Sequence, residues 1–524
     1  MARTVSEIET IGIVGGGVGG ICAAIQAAAA GRAVTLIERA PALGGKMRQI
    51  WPEGHAGEGI DGGPTVLTMR WAFDQLFEAA GRSLDDYVEL VPLDTLARHA
   101  WPDGSQLDLH VDVERSAAAI EAFASAAEAE GYRRFCAHTE RIFEVVEEPF
   151  LRSARPSMMT VATTKGLRGI FEFASIDWHR SMWRALGSFF GDPRLRQLFA
   201  RYATYYGSSP FRAPATLNLI AHVERIGVWR VRGGMAKLAQ GLTRLAEELG
   251  VEVRTGCEVE TIEVDVEGGA AGRAAGRARA IVYRDADGQS RRLECAAVIV
   301  NAAPQALDTG HLGEHLRGCV GLDPKAPRSL SAVTWSLVAR TRGFELAHHN
   351  VFFSSDYRRE FAALDDAELP DEPTVYVCAQ DRDDAGGTTV EGPERLLVLV
   401  NAPALGDRPG AFSSAQLDAL EARAFALMER CGLVIEREGA PCVRSDPHTF
   451  EDLFPATGGG LYGLATHAMM DPFRRPAART KIPGLYLSGG GAHPGAGVPM
   501  VCLSGQLAGR AAVKDLGAGR EAVA

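Results

Sequence analysis

Three glycines and one carboxylate near the start of the chain have the spacing to hold a dinucleotide. Gly15, Gly17 and Gly20 form G-x-G-x-x-G, and Glu38 lies eighteen residues beyond the last of them. The first glycine of such a loop permits a tight turn. The second lets a pyrophosphate approach the backbone, and the third lets a helix pack closely on a strand. A carboxylate at that distance can accept hydrogen bonds from both ribose hydroxyls, and it would repel the 2′-phosphate of NADP. Glycine clusters are common in loops, so the flanking elements decide. Ile11–Val14 is a short apolar run of the kind a buried parallel strand needs. The alanine-rich stretch Ile21–Ala30 predicts a helix that stops at Gly31, where a left-handed cap is easiest. Its N-terminus would turn free N–H groups and the positive end of its dipole toward the phosphates. Val34–Ile37 predicts the next strand, with Glu38 at its end.

The glycines do not stop there. Arg39 follows Glu38, and then comes Leu43-Gly44-Gly45-Lys46. An NAD fold does not require this second pair. It suits FAD, a longer cofactor that runs past the first strand and needs close backbone approach again. A third glycine-dense turn, Gly59 to Thr65, holds Gly63, Pro64 and Thr65. Three such loops within fifty residues of a dinucleotide motif set Arg39, Gly44, Gly45, Lys46, Gly63, Pro64 and Thr65 beside Gly15, Gly17, Gly20 and Glu38 as cofactor-binding residues.

Whole-chain properties narrow the class. A chain of 524 residues makes two or three domains with ample core. A net charge of −11 argues against a nucleic-acid partner. No apolar run approaches the roughly 20 residues needed to cross a bilayer. Arg3 and the Ala/Gly stretch after it imitate a signal peptide, but Glu7 and Glu9 spoil its basic head, and the stretch is accounted for as strand, turn and helix. Nine cysteines without a CxxC pair suggest neither a metal site nor a disulfide framework, and a cytoplasmic protein is expected.

The set GGGVGG, ERAPALGGKM and IDGGPTVLT resembles the amino-terminal signature of flavin-dependent carotenoid desaturases. These are the phytoene desaturase type within the amine-oxidase-like flavoproteins. The continuation GPTVLTMRWAFDQLFEAAGRSLDDYVEL, with LARHAWPDGSQLDL after it, is similar to the hydroxyneurosporene and methoxyneurosporene branch, the 1-hydroxycarotenoid 3,4-desaturases. The resemblance extends to GLYLSGGGAHPGAGVPMVCLSG near the carboxy terminus, which is similar to the family's second flavin motif. It implies flavin contacts at Gly490, Gly491, Val498 and Met500, and a backbone contact to adenine at Val259. The implied fold is α/β: a Rossmann-like FAD-binding domain of amine-oxidase type, with an inserted mixed-sheet substrate domain and a helical lid. The flavin domain is then discontinuous, over 1–72, 228–308 and 478–524. Residues 73–227 form the lid and the first substrate part, and 309–477 the second.

Other stretches fit that plan. Residues 115–160 read as helical. Met235–Leu249 places Leu238, Leu242, Leu245 and Leu249 on one stripe, and Gly250 ends it before a strand at Val251–Val253. Ala297–Asn301 matches the family's next flavin-domain strand, and Gly268–Arg277 is a low-complexity turn. Ala332–Ala339, Thr374–Ala379 and Leu396–Asn401 predict a second, mixed sheet. Thr164–Arg212 carries eight Lys/Arg against three Asp/Glu and is dense in aromatics, Trp178 and Trp183 among them. Such interleaving suits a membrane–water interface, and equally a helical lid whose rings are its own core.

The implied chemistry is desaturation of a carbon–carbon bond. It needs a two-electron acceptor, which no side chain supplies and FAD does. The carbon beside the polyene is the better hydride donor; the resulting cation spreads along the chain, and loss of a neighbouring proton completes the double bond. The protein must exclude water, hold the carbon and accept a proton. His493, inside the second flavin motif, is the candidate for the proton, with loop support as its alternative role; His222 and Glu224 come next, and water or reduced flavin can serve instead. The expected partners are a carotenoid delivered from lipid, a membrane surface met peripherally, and oxygen or a quinone as electron acceptor. Phytoene is the alternative substrate. An amine oxidase and a non-catalytic prenyl-binding chaperone are the alternatives of another class on this scaffold.

Overall fold

β1 (Ile11–Val14) and β2 (Val34–Ile37) are buried on both faces, which is why each reads as an apolar run and not an alternation. They pair in parallel, and β1 pairs in parallel with Ala297–Val300 on its other side. The sheet has five strands, in the order Glu252–Arg254, β2, β1, Ala297–Val300, Leu485–Leu487. Three separated parts of the chain therefore build one sheet, as a discontinuous α/β flavin domain requires. In this computed structural model the described residues are 10–155, 176–177, 179–265, 276–382, 390–468 and 471–521.

α1 (Val18–Ala29) begins three residues before the expected start, because Gly17 caps it and Gly19 and Gly20 already lie in its first turn. It ends as expected, with Gly31 at φ +78°. Its alanines have a packing reason. The carboxy-terminal helix Val498–Glu521 crosses it so closely that a Cβ on Gly505 would stand 2.4 Å from the Gly19 carbonyl oxygen. On its other side lies the helix Ala236–Glu248, whose Leu238, Leu242 and Leu245 enter the same core.

The second sheet has eight strands and is mixed. Ser331–Gly343, Glu394–Ala402, Val375–Ala379 and His349–Phe352 run antiparallel to their neighbours, and His349–Phe352 then pairs in parallel with Thr95–Ala100. The three expected runs all lie in it. The WPDGS stretch makes the tight turn of the hairpin Thr95–Ala100 and Gln106–His110, with Gly104 at φ +85°.

Two stretches hold more than their sequence reading specified. The helical stretch 115–160 divides into the helices Val113–Phe123 and Ala126–Val146 and a closing π-helical turn Glu147–Leu151, and 156–160 lie outside the described residues. The break falls at Ser125, whose hydroxyl accepts from the Glu128 N–H at 3.3 Å and starts the second helix. The turn Gly59 to Thr65 is not a plain loop: it contains the strand Ile60–Asp61, and the buried Asp61 carboxylate caps the helix Ala236–Glu248 by accepting from the Met235 and Ala236 N–H groups at 2.5 and 3.2 Å.

Within Thr164–Arg212, residues 164–175 and Trp178 lie outside the described residues. The described aromatics pack inward: Phe190, Phe199 and Tyr202 are buried, and Trp183, half-buried, lies 4.8 Å from the Phe211 ring. They form the core of the helical part, as the lid alternative expected. Residues 266–275, which take in most of the low-complexity turn Gly268–Arg277, are likewise outside the described residues; the strands on either side, Glu258–Asp265 and Arg277–Arg284, pair antiparallel. Among the described residues no helix is long and apolar enough to cross a membrane. All nine cysteines are free thiols.

Candidate flavin and substrate site

The turn between β1 and α1 is built on contacts that only glycine allows. Gly15 has φ +96°, and a Cβ on Gly20 would stand 2.1 Å from the Gly15 carbonyl oxygen. Gly17 is different: its backbone is extended (φ −68°), and an added Cβ would meet the Asn301 Oδ1 at 2.8 Å. Asn301 follows the strand Ala297–Val300 and lies among Gly15, Gly17, Gly19 and Gly489. It is a site residue that the sequence reading placed only as a strand end. The Glu38 carboxylate accepts from the Gly16 N–H at 2.5 Å and from the Ala40 N–H at 2.7 Å, and its remaining lone pairs are available for a ribose.

The other expected cofactor residues gather around this turn. The Gly44 N–H donates to the Gly16 carbonyl at 2.8 Å, and Gly45 comes so close that its Cβ would lie 3.0 Å from the Gly17 Cα. Lys46 donates to the Leu461 carbonyl at 2.7 Å, and burial pulls its ammonium down to about 8. Gly63 lies against the Lys46 carbonyl oxygen, only 1.8 Å from where a Cβ would be. Val259 lies in the strand Glu258–Asp265, opposite Tyr283, and Cys257 just before that strand donates its N–H to the Glu38 carbonyl at 2.9 Å. Arg39 points elsewhere: it donates to the Asp452 and Leu453 carbonyls at 3.0 and 2.9 Å and ties the rim of the turn to the helix Pro447–Leu453. The Gly490 carbonyl accepts from Arg475 at 2.7 Å, and Gly491 packs on Pro304. This cradle of close backbone approaches and a helix N-terminus fits a flavin dinucleotide.

A cavity of about 320 Å³ opens beside the cradle, walled by Pro64, Thr65, Val498 and Met500 on the flavin side and by Val351 and Leu399 of the mixed sheet on the other. Its surface is mostly apolar, with polar side chains set into it, Arg201, Glu224, Tyr376 and Arg475 among them. The Tyr202 and Tyr205 hydroxyls donate to the Glu224 carboxylate at 2.7 and 2.5 Å, and burial pushes it above the usual carboxylate range. The other proton candidates are turned away. His222 does not line the cavity; its Nδ1 accepts from Arg225 at 2.8 Å and its ring packs on Phe143. His493 does not line it either. It bonds the Ser153 carbonyl through Nε2 at 2.9 Å and packs edge-on against Phe150, and burial lowers it to about 4. Loop support is therefore what its geometry provides. His348, His349 and Cys378 put three atoms of metal-ligand type within 4.8 Å of one another, where the sequence offered no metal motif.

Glu360, beneath the cavity wall, yields a pH prediction. Its buried carboxylate accepts from Ser354 Oγ at 2.7 Å and from the Thr374 N–H and hydroxyl at 3.0 and 2.7 Å, yet burial still raises it from 4.5 to about 7. A carboxyl raised on folding contributes stability fully below its unfolded value and loses it as the pH rises through the folded value. Glu360→Gln should thus gain on the wild type by on the order of 2 kcal/mol between pH 5 and pH 8. Thermal melts of both proteins across that range check this; a constant difference in melting temperature would refute it.

The family of flavin containing amine oxidoreductases matches residues 18–513. The chain is 45% identical to hydroxyneurosporene desaturase of Rubrivivax gelatinosus, over 95% of this chain and 91% of that one. It is 42% identical to hydroxyneurosporene desaturase of Cereibacter sphaeroides, over 97% and 98%. A 4,4'-diapolycopene oxygenase of a Methylomonas species is 30% identical, over 98% and 99%. Among solved structures, putrescine oxidase bound to putrescine aligns with a TM-score of 0.58 at 16% identity, over 97% and 99%. That likeness concerns the fold alone.

Proposed function

The chain belongs to the flavin-containing amine oxidoreductase family, and we propose that within it this protein desaturates the 3,4 bond of an acyclic carotenoid bearing a tertiary hydroxyl or methoxyl. It is a flavin-dependent oxidoreductase of the carotenoid desaturase type, and we take the flavin to be FAD. The observation that carries the substrate reading is the mostly apolar cavity walled by Pro64, Thr65, Val498 and Met500 on the flavin side and by Val351 and Leu399 of the mixed sheet on the other. When bound, the flavin supplies the two-electron acceptor that the chain lacks.

The chain's own residues do the rest. The turn at Gly15, Gly17 and Gly20 and the Glu38 carboxylate hold the dinucleotide end. Apolar side chains such as Val351, Leu399 and Met500 exclude water from the reacting carbon, so that the allylic cation is not captured by it. A small polar amine would have to shed its hydration against these same walls, which disfavours an amine oxidase. A carotenoid dissolves in lipid and not in water, so we place the protein at a membrane surface as a peripheral enzyme in the cytoplasm, passing electrons to oxygen or a membrane quinone.

One experiment tests substrate and surface together. Flavin-loaded protein is mixed with liposomes carrying hydroxyneurosporene or phytoene, the product chromophore is read, and the liposomes are floated. The expected results are a red shift equal to one added double bond for hydroxyneurosporene, no change for phytoene, and protein in the floating fraction. Conversion of phytoene alone would move the protein to the phytoene desaturase branch. Amine turnover with release of peroxide would make it an amine oxidase, and protein left at the bottom of the gradient would remove the membrane reading.

A further inference from the structure

We propose that the Thr65 hydroxyl, oriented by Tyr376 and His349, is the subsite that binds the terminal oxygen of the substrate; the proposal rests on the substrate reading above. These three residues come from distant parts of the chain and form one line of hydrogen bonds into the cavity. The Thr65 Oγ1 lies 2.7 Å from the Tyr376 hydroxyl, and that hydroxyl lies 2.7 Å from His349 Nδ1. Thr65 and Tyr376 line the cavity, while His349 is buried behind them.

Hydrogen-bond accounting gives the line a direction. His349 Nε2 is buried with no partner. A neutral imidazole carries one N–H. On Nε2 that N–H would be a buried orphan donor; on Nδ1 it leaves only a lone pair unpaired, which costs less. Burial and the neighbouring His348 and Arg201 hold the ring in its neutral form. His349 Nδ1–H therefore donates to the Tyr376 oxygen, and Tyr376 O–H donates to Thr65 Oγ1. The Thr65 O–H is then left to donate, and among the described residues it has no other partner. It faces an apolar cavity in which a buried donor needs an acceptor. A tertiary hydroxyl and a methoxyl both present an acceptor oxygen; a plain hydrocarbon end does not.

The position fits the reaction. In a 1-oxygenated carotenoid the oxygen is three bonds from C3, about 4 Å at most with bonds of about 1.5 Å. The oxygen must accordingly sit next to the place where the 3,4 bond meets the cofactor. Thr65 is two residues from Gly63, which packs on the Lys46 carbonyl of the second glycine loop. Other polar groups line the cavity as well: the Glu224 carboxylate already accepts from the Tyr202 and Tyr205 hydroxyls, Arg475 donates to the Tyr462, Leu464 and Gly490 carbonyls, and Arg201 lies beside Glu224.

The test compares wild-type, Thr65→Val and Tyr376→Phe holoenzymes in liposomes on three carotenoids of equal chromophore: the 1-hydroxy form, the 1-methoxy form and the parent without oxygen. The readouts are kcat/KM for each, equilibrium binding by quenching of flavin emission, and flavin content from the visible spectrum. Thr65→Val should lower the preference for both oxygenated forms over the parent about tenfold, as the loss of one hydrogen bond does. Tyr376→Phe, which leaves the threonine hydroxyl unoriented, should lower it about threefold. Equal losses on all three carotenoids would make Thr65 a support of the flavin loop and overturn the subsite. An unchanged preference would overturn it too, and a loss on the hydroxyl form alone would reverse the donor direction and refute the chain of donation. Wild-type protein that converts neither oxygenated form would instead overturn the substrate reading beneath it.

Discussion

Replacing Gly17 with valine gives a folded but colourless protein. The turn itself can take the change. Gly17 has an extended backbone at φ −68°, which any residue adopts, and the first atom its new side chain meets is the end of the Asn301 amide at 2.8 Å. The Gly45 Cα is 4.0 Å away. What the valine fills is the space over the N-terminus of α1 that a pyrophosphate must enter. Flavin occupancy should fall at least about tenfold, equivalent to about 1.4 kcal/mol of binding, while the melting temperature of the flavin-free protein stays near that of wild-type apoprotein. Gly20→Val provides the contrast. Its Cβ would lie 2.1 Å from the Gly15 carbonyl oxygen, so this variant should fail to fold, not merely lose colour. A Gly17→Val protein that purifies yellow with full occupancy would show that the dinucleotide lies elsewhere.

The second large effect is expected at Arg475. Its guanidinium is 6% exposed and has no carboxylate within ion-pair distance among the described residues. It donates instead to three carbonyls: Gly490 at 2.7 Å, Leu464 at 3.1 Å and Tyr462 at 3.2 Å. Burial lowers its pKa, yet an arginine stays charged in proteins. One side chain thereby ties the second flavin motif to the loop that descends from the mixed sheet. Arg475→Met keeps the length but leaves three carbonyls without their donor, at a cost of about 3 kcal/mol or more. Arg475→Lys keeps the charge, but its ammonium cannot span the three acceptors as the planar fork does, and it should fall between. Calorimetry and the flavin spectrum of the purified variants measure both effects. A methionine variant with unchanged melting temperature and full flavin would show that the arginine is dispensable.

The features legible in the sequence were those whose cause is local. β1, the glycine turn, α1 and Glu38 follow one another within thirty residues, and each is dictated by its own side chains: apolar for a strand buried on both faces, absent where the backbone must turn or approach, charged where a ribose would lie. The stretch 115–160 read as helical from its composition, and the structure places the break within it at Ser125, whose hydroxyl accepts from the Glu128 N–H. Alternation and apolar runs announced the mixed sheet because a strand's two faces are written in its own residues.

What the tertiary structure decided is which distant groups meet and which way a side chain is used. Composition could count the aromatics of Thr164–Arg212 but could not say that Phe190 and Phe199 stack in a core, since a ring suits an interface and an interior alike. His493 belonged to a flavin motif by position, but packing turned it onto Ser153 and Phe150. Arg475, Asn301 and the line from His349 through Tyr376 to Thr65 had no local signature at all. Each gathers partners at least eleven residues away, and such contacts exist only once separate segments are folded against one another. The sequence by itself thus determined that a dinucleotide-binding α/β domain would form and where its turn lies. Only the folded chain decided how the cavity beside it is lined, because burial and hydrogen-bond partnership are properties of the assembled neighbourhood and not of any residue alone.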